Sequence, residues 1–309
     1  MRIILICKDM GGYIRTVADY LSAQGHDVLF LDTTQSAPFL PWLSGKLKKL
    51  LRARLARWLD QWRISAFGAA DTLLVVNPGQ VDTRVIAKAM SVSQTRQAYL
   101  YDSLARSPVS SDWLARYDRV FSFDQTDVDA HGLRKLHNFI YDTQPSELAS
   151  GPRAYKAFLV MAGVDRLALL DDLAGQIAQA GFDNYLFIVQ YKTAPTTRHN
   201  IRFIRERLSL PDVQAYIQNS DILLDLVRPH QTGLSFRLFE ALHHQRKVIT
   251  NNPSVVNYDF FDPHNILLID EQNPVIPQAF LQSAYRPIAP AVLYRYSLAG
   301  WCSQVFPTP

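Results

Sequence analysis

The chain has 309 residues, long for one hydrophobic core and comfortable for two domains. Apolar residues make up 48% and charged residues 19%, with a net charge of +4, which excludes a disordered or fibrous chain. The two cysteines, Cys7 and Cys302, exclude a disulfide framework and a cysteine-ligated zinc site, and they fit a reducing cytoplasm.

The apolar run at the start is cut by Lys8 and Asp9, too soon for a secretory signal, and it reads as a strand over residues 2–7. Gly11 and Gly12 then form a turn, followed by a helix over about 14–23, Gly25 at its end and a strand at 28–32. This βαβ opening predicts a parallel sheet. Asp32 stands at a distance suited to a dinucleotide ribose, but the turn lacks the G-x-G-x-x-G spacing. Gly11 and Gly12 are expected instead in an acceptor-binding loop.

Residues 41–63 hold seven Lys and Arg against one acid, Asp60, a local charge of +6 in a chain of +4. On a helical projection Leu43, Leu47, Leu50, Leu51, Leu55, Trp58, Leu59 and Trp62 take about half the circle. Lys46, Lys49, Arg52, Arg57 and Arg63 take the other half, and Arg54 intrudes on the apolar side. Such a helix suits an anionic membrane surface through Lys46, Lys49, Arg52, Arg57, Trp58 and Trp62. It equally suits packing on its own domain with a solvated basic face. No base-reading motif accompanies the charge, so nucleic acid is not expected as a partner. No run of some 18 apolar residues predicts a spanning helix.

Strands at 72–76, 97–101 and 119–123, with a helix over 81–90, complete a first α/β domain, residues 1–140. Asp102, just past a strand and so at a carboxyl edge, is the first candidate for a general base; Asp124 is the second. An Asp ahead of Gln125-Thr126-Asp127 is also a common helix cap. His137 is a weaker base candidate. Asp127 and Asp129 read as first-turn helix acids and not as a metal pair.

Breaker residues over 141–155 mark a linker, and a second α/β series occupies 156–285. Its strands are expected at 157–161, 185–190, 222–226 and 247–250, with a helix over 166–180. Near its end the turn Gln231-Thr232-Gly233 opens a helix with Leu234, Leu238, Ala241 and Leu242 on one side and Arg237 and Glu240 on another. A glycine-led helix start suits an anion such as a diphosphate, and a carboxylate beside it suits a ribose diol. Arg237 and Glu240 also read as an ordinary solvated surface pair. His243 and His244 are adjacent and so are expected to point apart, which argues against a metal site there.

The block HQTGLSFRLFEALHHQRKVITNNPSVVNYDFFDPHNILLID resembles the donor-binding half of GT-B glycosyltransferases of bacterial surface-polysaccharide synthesis. There a Gln-Thr-Gly-Leu turn, an Arg, a Phe-Glu-Ala-Leu helix and an Ile-Thr-Asn strand end occur in this order. Weaker likeness upstream includes Tyr99 to Ser103 and Tyr117 to Asp124, and the whole covers about residues 95–270. The resemblance implies two Rossmann-like domains facing a cleft and transfer of a hexose from a nucleotide-diphosphate sugar to a lipopolysaccharide or capsule glycan. The donor is then a substrate, no cofactor is implied, and transfer is expected without a metal. It assigns donor binding to Gln231, Thr232, Gly233, Ser235, Arg237 and Glu240, with Arg166 and Lys192 as further cations. Residues 286–309 are similar to the last helix of these enzymes, which crosses back to the first domain. The enzyme is then expected at the inner face of the cell membrane, with a lipid-linked or glycan acceptor. A catalytically silent binding subunit of the same fold is the alternative. Members usually carry a Gly near the end of the Phe-Glu-Ala-Leu helix, where this chain has His243-His244-Gln245.

Overall fold

The computed structural model describes residues 1–9, 11–34, 45–142, 152–229 and 231–307, with the side chains of 45–49 left aside. The chain divides into two compact units, Met1–His137 with Cys302–Pro309, and Asn138–Trp301.

In the first unit β1 (Arg2–Cys7), β2 (Asp27–Asp32), β3 (Ala70–Val76), β4 (Ser93–Leu100), β5 (Arg119–Ser122) and β6 (Arg134–Lys135) form one sheet. Their order is β2-β1-β3-β4-β5-β6, and every pairing is parallel. The helices are α1 (Tyr13–Ala23), α2 (Gly45–Phe67), α3 (Thr83–Met90), α4 (Ser111–Leu114) and α5 (Gln125–His131). The sequences of β1 and β3 are nearly continuous apolar runs because a parallel sheet is covered on both faces.

The second unit repeats the scheme with β7 (Tyr155–Ala162), β8 (Leu186–Gln190), β9 (Arg202–Ile204), β10 (Ser220–Asp225), β11 (Lys247–Thr250) and β12 (Ile266–Leu268). The order is β12-β11-β10-β7-β8-β9, again parallel throughout. Its helices are α6 (Leu167–Gln179), α7 (Leu210–Gln218), α8 (Phe236–His244), α9 (Gln278–Gln282), α10 (Pro290–Tyr296) and the start of α11 (Leu298–Val305). Alternation along β7 sends Ala157, Leu159 and Met161 into one core and Phe158 into the other; Ile222 and Leu224 of β10 follow the first, and Leu223 the second. Leu234, Leu238, Ala241 and Leu242 share the second core, so the expected apolar side of α8 is its packed side.

Three features depart from expectation. The short edge strands β6, β9 and β12 have too few residues to show a period. The boundary falls before the breaker segment, because Asn138 Nδ2 donates to the Leu234 carbonyl at 2.9 Å and Ile140 bridges to Ser297, tying 138–142 to the second unit. Residues 143–151 of the expected linker lie outside the described residues. The return to the first unit begins at Cys302 and not at 286. Within that unit Gln97 Nε2 donates to the Val305 carbonyl at 2.9 Å.

α2 also turns out otherwise. It packs against α3: Ile64, 0% exposed, shares a core with Val85, Ile86 and Ala89, and Gln61 Nε2 donates to the Arg84 carbonyl at 3.2 Å, while Asp60 is 3% exposed. Arg57 forms an ion pair with Asp82 at 2.8 Å, which removes it from the cations expected to face a membrane. Much of the described apolar stripe faces outward: Trp58 and Trp62 are each 58% exposed and Leu50 50%, while Leu55 and Leu59 are half-buried and Leu43 and the Leu47 side chain lie outside the described residues. Arg54 and Arg63 are exposed beside them, and Arg52 is half-buried. Lys46 and Lys49 lie in α2, but their side chains are outside the description. Among the described residues no helix is long and apolar enough to cross a membrane.

Candidate functional site

In the second unit the chain order reverses between β7 and β10, which are neighbours in the sheet although β8 and β9 lie between them in sequence. Open α/β sheets bind ligands outside the carboxyl ends of their strands at such a point. Three segments of this unit end there, and each carries polar groups.

After β7 the backbone turns through Gly163, whose φ of +84° favours glycine. Arg166 follows, with its guanidinium donating to the carbonyl oxygens of Leu226, just past β10, and Ala162, the last residue of β7. Arg228 donates to the Ala162 carbonyl at 3.4 Å and to Asp165 Oδ2 at 3.2 Å. Two guanidiniums thus share one carboxylate, leaving an excess of positive charge at the strand ends. Burial would raise the Asp165 carboxyl, but Arg166 and Arg228 hold it below the usual range. The Arg166 side chain is 12% exposed and that of Arg228 38%, so Arg166 fastens the two strand ends and Arg228 is the cation a ligand can reach. The spacing after β10 gave no reason to single out Arg228 in the sequence.

The turn 231–235 leads into α8. Gln231 and Thr232 are half-buried and Gly233 is buried, its carbonyl accepting from Gln231 Nε2 at 3.0 Å and Asn252 Nδ2 at 3.1 Å. Ser235 is the helix cap: its hydroxyl accepts from the Arg237 N–H at 3.1 Å and donates to Asp225 Oδ1 at 2.6 Å. Asp225 also accepts from Thr250 Oγ1 at 3.2 Å, so the ends of β10 and β11 and the start of α8 are joined. Burial pushes the Asp225 carboxyl up, against the hydrogen bonds of Ser235 and Thr250 and the charges of Arg237 and Arg166.

Arg237 and Glu240 are not a solvated surface pair. They pair at 2.7 Å with side chains 13% and 3% exposed, and Tyr141 donates to Glu240 Oε1 at 2.6 Å. Glu240 is enclosed by the α8 packing and the 138–142 segment, and in this structure it holds Arg237. Burial raises the Glu240 carboxyl, opposed by the Arg237 charge and the Tyr141 hydrogen bond.

α8 ends without the glycine that the resemblance of this block implies. Gln245 adopts φ 53°, ψ 51°, with its N–H on the Leu242 carbonyl and the Arg246 N–H on that of Ala241. This is the usual left-handed helix stop, taken by a residue with a side chain. The two histidines before it do not point apart: both Nε2 atoms converge on Asp142 Oδ2, at 3.7 Å for His243 and 3.9 Å for His244. The helical-spacing argument fails here because ring torsions bring neighbouring side chains together. Burial drives His244 down to about 3, so its ring is neutral.

Lys192 is exposed in the segment after β8. That segment is fastened to α6 by Asp171, which accepts the N–H groups of Arg198 at 3.1 Å and His199 at 3.0 Å.

In the first unit Asp102 lies past β4, its carboxylate 20% exposed, paired with Arg106 at 3.3 Å and accepting from Gln80 Nε2 at 3.3 Å. Asp124, the second base candidate, is 1% exposed and caps α5 by accepting the Thr126 N–H at 2.9 Å, the helix-cap place that its sequence also suits. Asp127 lies in the first turn of α5 and accepts the Leu104 N–H at 2.9 Å. The His137 carbonyl accepts from Tyr99 OH at 3.2 Å. Gly12, at φ 79°, precedes α1, and Asp32 is taken up by the Asp9 N–H and Thr34.

No family model and no curated protein matches this sequence. Solved structures do. An α-glucosyltransferase in complex with UDP and a 13-mer DNA containing a HMU base is 11% identical over 99% of this chain and 98% of its own, with a TM-score of 0.59. A UDP-forming α,α-trehalose-phosphate synthase from Burkholderia xenovorans, in complex with glucose-6-phosphate, is 13% identical over 99% of each chain, with a TM-score of 0.58. The same kind of synthase from Burkholderia vietnamiensis is 12% identical over 98% of this chain and 95% of its own, at 0.56. At such identities the likeness is one of fold.

Proposed function

Given the two-domain α/β fold of GT-B glycosyltransferases, we propose that the chain transfers a sugar from a nucleoside-diphosphate donor bound at the β7–β10 end of its second unit. The observation that carries this is the excess of arginine charge on Arg166 and Arg228 where the strand order reverses, beside the capped start of α8. A leaving diphosphate needs fixed positive charge and N–H donors where its own charge develops. Arg228, with Lys192 as a second cation, supplies charge; the Gly233–Ser235 turn supplies backbone polarity; the Arg237–Glu240 pair holds α8 in place behind them. Because side chains meet this need, no metal is expected at the diphosphate, and added Mg²⁺ or Mn²⁺ should leave the rate of transfer unchanged. UDP is the nucleotide to try first, being common to the similar structures.

Asp102 of the first unit is our candidate for the base that takes the acceptor proton, and Gly11 and Gly12 for the acceptor loop. The resemblance of the 230–270 block supports a lipopolysaccharide or capsule glycan as acceptor. Incubation with a panel of UDP-sugars and such acceptors should release UDP, and Asp102→Asn should lower turnover by about 100-fold or more with little change in donor affinity. Donor binding without hydrolysis or transfer would favour the silent binding subunit, and unchanged turnover in Asp102→Asn would remove that residue as base.

The exposed stripe of α2 supports peripheral attachment to an anionic membrane. Tryptophan and leucine facing outward beside Arg54 and Arg63 suit a lipid interface better than a nucleic-acid backbone, which would take the charge and leave the rings in water. Each cation near an anionic surface contributes about 1 kcal/mol. The chain is expected to sediment with vesicles containing phosphatidylserine and to be released as salt rises. Changing Trp58 and Trp62 to Ser and Arg54 and Arg63 to Glu, all on the outward side, should abolish sedimentation at unchanged melting temperature. Equal sedimentation of both proteins would remove the assignment.

A further inference from the structure

The last turn of α8 and the segment leading into residue 142 bring two imidazoles and a carboxylate to one point. Asp142, His243 and His244 each offer a ligand atom, and these atoms lie within 4.8 Å of one another. It is the one such group among the described residues. We infer that Asp142, His243 and His244 form a zinc site, with solvent in the fourth position.

The first argument is convergence. Consecutive residues of a helix leave its axis about 100° apart, so two histidines in sequence ordinarily serve different surroundings. Here the rings are 4.7 Å apart with planes at 77°, and both Nε2 atoms address the same carboxylate oxygen. Separations of 3.7 and 3.9 Å exceed a hydrogen bond. A tetrahedral zinc with bonds of about 2.0–2.1 Å holds its ligand atoms roughly 3.3 Å apart. Each imidazole would close on the carboxylate by about half an ångström, and the two ring nitrogens, which lie within 4.8 Å of each other, by at most about 1.5 Å, within the reach of side-chain rotations.

A second argument is the support around the ligands. Gln214 Nε2 of α7 donates to Asp142 Oδ2 at 3.2 Å, fixing the carboxylate as second partners do in metal sites. The histidines stand on a regular helix whose end is fixed by the Gln245 turn, so their backbone is set before any ion arrives. Two imidazoles with one carboxylate match zinc, whereas calcium and magnesium prefer oxygen alone. Side-chain exposures of 17% for Asp142 and 14% for His243 leave an entry, while His244 at 4% is enclosed.

The ordinary reading is that histidines at a helix end interact with its dipole and a nearby acid. That reading predicts no stoichiometric metal. Nor does the site duplicate the donor site: it lies at the opposite end of α8 from Ser235, and zinc there would tie the 138–142 segment to the helix that carries the turn.

The test uses the full chain freed of metal, titrated with Zn²⁺ by calorimetry and with Co²⁺ by visible absorption. One equivalent of each should bind, the cobalt form should show the intense d–d bands of four-coordinate geometry, and zinc should raise the melting temperature. His243→Gln and Asp142→Asn, each with a partly exposed side chain, should keep the metal-free circular dichroism and lose affinity by about 100-fold. Absence of saturable one-equivalent binding by the wild-type chain would overturn the site, and so would wild-type affinity in both variants. The cobalt spectrum of the wild-type chain decides the matter even where a variant folds poorly. None of these readouts requires sugar transfer, so failure of the proposed activity leaves the zinc test intact.

Discussion

Arg228→Ala is expected to weaken UDP binding by about 10- to 100-fold while leaving the melting temperature nearly unchanged. Arg228 is the guanidinium at the β7–β10 end with the most exposed side chain, and its partners, Asp165 and the Ala162 carbonyl, stay solvated or shared with Arg166 when it is removed. A hydrogen bond between charged groups contributes about 1.5–3 kcal/mol, which corresponds to that range in affinity. Arg166→Ala should lower affinity and stability together, because Arg166 joins the carbonyl oxygens at the ends of both strands. The separation of the two effects is the informative result: calorimetry giving wild-type UDP affinity for Arg228→Ala would place the diphosphate elsewhere.

The second large effect concerns Arg237 and Glu240. Either residue changed to Ala removes the ion-pair partner of a charge held away from solvent, at a cost of about 3–5 kcal/mol. Loss of Glu240 also removes the acceptor of the Tyr141 hydroxyl. Replacing both together, Arg237→Met with Glu240→Leu, should recover most of the loss, since a buried pair exchanged for apolar groups of similar volume is often neutral or stabilising. Urea denaturation should therefore rank the double variant well above either single one. Single variants of wild-type stability would show that the pair is solvated, as the spacing alone had allowed.

The alternating arrangement of strands and helices was legible because parallel strands carry long apolar runs and the helices carry regular stripes; β1, β3, β7 and β10 all stand where their residues predict. The turn before α8 was legible through its glycine and the order of residues behind it. What could not be read depended on what lies opposite. Arg237 and Glu240 look identical in sequence whether they face water or the 138–142 segment, and only the chain's return past α8 encloses them. The projection of α2 showed an apolar half and a basic half but not which face packs; Arg57, Gln61 and Ile64 take that place because Asp82 and α3 are there to receive them. His243 and His244 were misread from helical spacing, which fixes Cα directions and says nothing of where a ring nitrogen ends.

A nucleoside diphosphate is proposed to occupy the strand-order reversal of the second unit. Amide hydrogen exchange of the full chain with and without saturating UDP tests it most directly, since exchange reports where backbone opening is suppressed. Added protection is expected in peptides covering residues 163–167 and 226–237. Protection confined to the first unit, or none at a UDP concentration where calorimetry shows binding, would contradict it.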